Sequence, residues 1–106
     1  MPLPGANQVA SNPWIIVQTN DTPIFQGNMP HAQIEFVDYT NSAHVLEVQD
    51  RLGRTIAYLK GDTDMKTVRT GRMGWIYGVI VPTMTTDPFG NAIPNMASGR
   101  AIIYFE

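Results

Sequence analysis

Runs of β-branched and aromatic residues recur along this chain between clusters of Gly, Pro, Asn and Asp. No stretch spaces its apolar residues as an amphipathic helix would. The pattern predicts an all-β fold. Trp14 to Thr19 reads as the first strand. Asn20-Asp21-Thr22-Pro23 reads as a turn, since Asn and Asp bond their own backbone and Pro fixes φ. Ile24 to Gln26 is a short strand, broken by Gly27-Asn28-Met29-Pro30. Ala32, Ile34 and Phe36 alternate with Gln33, Glu35 and Val37, which predicts a half-buried strand ending near Tyr39.

Val45 to Gln49 and Arg54 to Leu59 read as a hairpin around Asp50-Arg51-Leu52-Gly53, with Gly53 supplying a positive φ. Lys66 to Thr70 is short and charged, as a protected edge strand would be. Trp75 to Val81 is apolar on both faces and reads as one central strand, with Gly78 marking a bulge or close packing. Residues 83–99 read as a long loop, and Arg100 to Phe105 as the last strand. The sum is seven or eight antiparallel strands in a single β-sandwich or jelly-roll-like domain over residues 14–106. Residues 1–13, with Pro2, Pro4, Gly5 and Pro13 and no periodicity, read as an extended N-terminal arm.

Composition supports one globular domain. The chain has 106 residues, 43% of them hydrophobic, and no cysteine. Disulfides, thiolate metal sites and cysteine nucleophiles are therefore excluded. The N-terminus shows neither a basic region nor an apolar run, and Trp75 to Val81 is far too short to span a bilayer. A soluble protein without a membrane partner is expected.

Charge is unevenly placed. Residues 1–50 carry five acids and no Lys or Arg, whereas six of the seven bases fall within residues 51–72. Solvated strand faces explain such a split. So do complementary faces that meet on neighbouring subunits or an acidic partner. The net charge of −2 and the lack of a stacking-aromatic motif among the bases speak against nucleic acid.

Chemistry-bearing residues form no recognised motif. Asp62-Thr63-Asp64 opens like a calcium loop, but Thr67 and Met73 stand where that loop needs Gly and Glu. His31 and His44 select no nucleophile or acid by spacing. Asn20-Asp21-Thr22 matches a glycosylation acceptor that turn composition also explains. Trp75 and Tyr77 share one face of the expected strand and, with Tyr58, make a candidate sugar platform, but core packing is the preferred reading of them. No catalytic residue, cofactor or metal is expected. The long loop carries Met84, Phe89, Ile93 and Met96 amid Pro and Gly. Loops of that length are often functional, and these residues should pack on the domain itself or on a partner.

Three stretches carry a family likeness: Val45-Leu46-Glu47-Val48-Gln49-Asp50-Arg51-Leu52-Gly53-Arg54, then Gly74-Trp75-Ile76-Tyr77-Gly78-Val79, then Ser98-Gly99-Arg100-Ala101-Ile102-Ile103-Tyr104. In this order they resemble small all-β accessory structural proteins of tailed phages, over about the C-terminal 60% of the chain. The resemblance implies a non-enzymatic capsid decoration or cement protein on the virion head surface, assembled in the host cytoplasm. Its implied partners are the major capsid protein and copies of itself, often as a homotrimer. The expected contact residues are Pro2, Leu3, Pro4, Val9 and Pro13 in the arm, and Met84, Phe89, Ile93 and Met96 in the loop. Arg51, Arg54, Lys66, Arg69 and Arg72 would supply electrostatic contacts. Alternatives are a carbohydrate-binding or receptor-binding module, a tail or neck component, and a small hydrolase.

Overall fold

The computed structural model of the chain describes residues 7, 9, 12–87 and 89–105. The fold is all-β. Eleven strands lie among the described residues: β1 (Trp14–Ile16), β2 (Asn20–Phe25), β3 (Met29–Val37), β4 (Val45–Gln49), β5 (Thr55–Lys60), β6 (Val68–Arg69), β7 (Met73–Trp75), β8 (Val79–Val81), β9 (Met84–Thr86), β10 (Ala92–Pro94) and β11 (Arg100–Phe105). The first sheet runs β1-β11-β3-β6, with β7 also on β3. The second runs β2-β8-β4-β5, and β9 and β10 form a separate pair. All these pairings are antiparallel.

The alternation along β3 sets the inner face of the first sheet. Ala32, Ile34 and Phe36 are buried while Gln33, Glu35 and Val37 are half-exposed. Ile103 on β11 lies directly opposite Ile34. Leu46, Val48, Val79 and Val81 from the second sheet join these residues in one core cluster. Each such side chain removed from water contributes about 1.5–3 kcal/mol. Trp14 closes one side of this core against Phe25 and Phe105, with ring centroids at 5.3 and 4.9 Å.

Three sequence expectations need correction. Asn20 to Pro23 is not a turn between strands but the start of β2, whose register on β8 shifts between Asn20 and Phe25. As an edge strand, β2 tolerates Pro23, because an outward-facing backbone position needs no N–H. Trp75 to Val81 is not one strand. It breaks into β7 on the first sheet and β8 on the second. Gly78 makes the corner with φ +79, and its N–H donates to the Gly27 carbonyl at 3.1 Å. Residues 83–99 are not structureless, because Ala92, Ile93 and Pro94 pair with Thr86, Thr85 and Met84. These changes raise the strand number above the expected seven or eight.

Of the expected arm, Pro2, Leu3 and Pro4 lie outside the described residues. Asn7 is tied to the chain's own β1 end: its Oδ1 accepts from the Val17 and Gln18 N–H groups at 2.8 and 2.9 Å. The Asn12 side chain donates to the Phe105 carbonyl and accepts from the Phe105 N–H. Val9 is exposed and Pro13 half-buried.

Candidate functional site

The β9–β10 hairpin is fixed to the outer face of the second sheet by one buried side chain. Asn95 Nδ2 donates to the carbonyls of Glu47 and Pro82, both at 2.8 Å, and its Oδ1 accepts from Glu47 N–H at 2.7 Å. The Met96 N–H adds a bond to the Val45 carbonyl at 2.8 Å. The hairpin therefore cannot swing away from β4 without leaving buried polar groups unpaired.

Its tip is also fixed. Asp87 Oδ1 accepts from the N–H groups of Phe89 and Asn91 at 2.9 and 2.8 Å, and Oδ2 faces Asn91 Nδ2 at 3.3 Å. The Asn91 backbone bond is the main reason its pKa lies below the ordinary carboxylate value. The other Asn91, Phe89 and Gly90 bonds add to it, against a raising effect of burial. This ordered turn holds Phe89 in water, 89% exposed. Met84 is 51% exposed at the start of β9.

Between hairpin and sheet lies a groove of about 340 Å³, lined by Ala43, Val45, Ile93, Tyr58, Lys60, Asp87 and Phe89. Tyr58 keeps its proton more firmly than a free phenol. Burial raises its pKa first, and the charges of Asp87 and Glu47 raise it further. Ile93 thus lines the groove, whereas Met96 is half-buried and packs against the core.

At the opposite end of β4 and β5 sits the expected hairpin turn. Asp50 is 1% exposed, and its Oδ1 accepts from the N–H groups of Leu52 and Arg54 at 2.9 and 3.0 Å. Its Oδ2 takes Arg54 Nε at 2.8 Å. Burial pushes this carboxyl up, but the Arg54 and Leu52 bonds outweigh it and hold the pKa below the ordinary value. The Arg51 N–H donates to the Tyr77 carbonyl at 2.6 Å. The guanidiniums of Arg51 and Arg54 lie 5.5 and 5.0 Å from the centroid of the Tyr77 ring. Leu52 and Ile76, each 59% exposed, flank this cluster.

The other bases do not join it. Arg69 faces Glu35 at 3.8 Å on the first sheet, and Arg72 lines a cavity of about 60 Å³ with His31, Gln33 and Tyr104. Lys66 is exposed, and its carbonyl accepts from the Tyr39 hydroxyl at 2.5 Å.

The remaining chemical candidates are drawn into structural roles. Trp75 is buried, as the core reading expects, and its Nε1 donates to the Gly78 carbonyl at 2.6 Å, so it is not free to join a Trp75–Tyr77–Tyr58 platform. Asp62 Oδ2 accepts from Asp64 N–H at 2.9 Å, closing a small turn. Among the described residues, no group of three or more His, Asp or Glu is placed to hold a metal ion. Asn20 Oδ1 accepts from both the N–H and the hydroxyl of Thr22.

One pairing was not readable from spacing: His44 Nδ1 lies 2.5 Å from Ser98 Oγ, which also accepts from Thr40 N–H at 2.9 Å. The pair clips two loops together.

What the arrangement offers is contact surface: a fixed aromatic prong beside an apolar groove at one end, and a cationic aromatic cluster at the other. No family model matches the chain, no curated protein matches it, and no solved structure matches it.

Proposed function

We propose that the chain is a β-sandwich of jelly-roll type that serves as a non-enzymatic structural protein of a phage particle. It binds the major capsid protein lattice on the head surface as a decoration protein and stabilises the shell. The observation that carries this reading is Phe89, almost wholly in water on a turn that Asp87 makes rigid, at the rim of an apolar groove. A large apolar side chain held out by ordered structure gains about 1.5–3 kcal/mol when a partner covers it. A rigid turn loses little entropy in binding. Repetition over a lattice adds avidity, and binding the assembled shell in preference to free subunits shifts assembly by mass action.

The test is sedimentation of the purified chain with expanded capsids that lack it. Wild-type protein should pellet with the shells, and Phe89→Asp should stay in the supernatant. Wild-type protein left in the supernatant overturns the reading.

One observation favours a second reading, a carbohydrate-binding module. Tyr58 and Phe89 border the same groove as Asp87 and Lys60, a pairing of rings with polar groups that suits a sugar. Binding on a glycan array that Phe89→Asp abolishes would favour it over the shell.

A further inference from the structure

Two turns of this chain are built to one plan. In Asp50-Arg51-Leu52-Gly53-Arg54 and in Asp87-Pro88-Phe89-Gly90-Asn91, the Asp Oδ1 accepts from the N–H groups two and four residues on. The Asp N–H bonds the carbonyl four residues on, and the Gly N–H bonds the Asp carbonyl. Both glycines have positive φ, +84 and +86. The Asp Oδ2 takes a side-chain donor from the fifth residue, Arg54 Nε or Asn91 Nδ2. Each turn holds a large apolar residue in water at its third position, Leu52 or Phe89.

The turns differ in charge. In the first, Asp50 is neutralised by Arg54, and Arg51 remains as an added cation over Tyr77. In the second, Asp87 is the sole charged residue. They also differ in place. The first follows Gln49 directly, whereas the second borders the groove with Ala43, Val45 and Lys60, where β4 begins and β5 ends.

We infer that these two surfaces are the halves of a head-to-tail contact between copies of this chain. The Phe89 turn of one copy seats on the Leu52, Ile76 and Tyr77 surface of the next. Covering these residues removes two exposed apolar surfaces from water at once. The Phe89 ring lies against Arg51, a favourable cation–π pairing, and Asp87 approaches the cationic cluster. Because the halves sit at opposite ends of β4 and β5, the contact is heterologous and propagates into a ring or a row. The inference rests on reading the hairpin as a contact surface and not on the shell as its target.

Complementary blocked variants test it. Phe89→Asp blocks the head, and Arg51→Glu with Leu52→Asp blocks the tail. All three side chains are exposed, so the fold should survive, as circular dichroism will report. The milder pair Phe89→Ser and Leu52→Ser replaces any variant that unfolds. Size-exclusion chromatography with light scattering over rising concentration should show wild-type protein growing beyond the monomer. Each blocked variant should self-associate more weakly by about tenfold or more. An equimolar mixture of the two should form a one-to-one dimer and nothing larger. A wild-type monomer at every concentration overturns the inference. So does a tail-blocked variant that still associates alone, or a mixture that stays monomeric. The capsid sedimentation reads separately: failure there with dimer formation in the mixture overturns the shell and leaves this contact standing.

Discussion

Asn95 pairs with both backbone polar groups of Glu47, accepting from its N–H at 2.7 Å and donating to its carbonyl at 2.8 Å. A side chain here stands in for a neighbouring strand. It satisfies β4 where the hairpin crosses it, 48 residues on in the chain. Both residues are buried, so water does not replace the bonds.

Asn95→Ala should therefore be strongly destabilising. It leaves the Glu47 N–H and the Glu47 and Pro82 carbonyls unpaired, at about 1–3 kcal/mol for each group that finds no new partner. Urea unfolding should show the midpoint falling, and amide exchange should accelerate first in β9 and β10. A variant with wild-type stability would mean that the hairpin is held by its apolar contacts alone.

Gly53 and Gly78 separate two costs of a positive φ. Both lie in the left-handed region, at +84 and +79. A Cβ at Gly53 meets nothing within 4 Å, whereas one at Gly78 would lie 2.4 Å from the Phe25 carbonyl oxygen. Gly53→Ala should cost only the backbone strain, about 1–2 kcal/mol. Gly78→Ala adds a backbone clash at the corner between the sheets and should abolish folding or lower the melting temperature far more. Thermal unfolding of the two variants side by side checks the order, and equal losses would refute the steric account.

The local features of the fold were legible in the sequence because short-range chemistry decides them. The alternation of Ala32, Ile34 and Phe36 gave the buried face of β3, and Gly53 gave the hairpin turn. The break at Gly78 was hidden because Trp75 to Val81 is apolar throughout. A segment apolar on both faces looks the same whether it stays in one sheet or crosses to another. Strands β9 and β10 were missed because each has only three residues, too few to show a period of two. Their turn did carry a signal, since Asp87-Pro88-Phe89-Gly90 repeats the Asp-x-x-Gly pattern of residues 50–53. Nothing in the spacing distinguished exposed Phe89 from core-packed Met96, because the hairpin's placement on β4 decides which side chain turns outward.

Acid should weaken the fold through the same two aspartates. Asp50 and Asp87 both titrate below the ordinary value of 3.8, because backbone and side-chain donors favour their charged forms. In the unfolded chain those donors are lost, so the carboxyls bind protons near the ordinary value. Between that value and the lower folded one, the unfolded state holds more protons, and stability falls as pH falls. Above the window the contribution is fully present and flat. Asp50→Asn loses the Arg54 ion pair and should lower the urea midpoint at neutral pH. It should also flatten the decline below about pH 4, because one of the two titrating groups is gone. Urea midpoints measured stepwise from neutral to acid for both proteins decide it. Parallel curves would assign the acid sensitivity to other carboxylates.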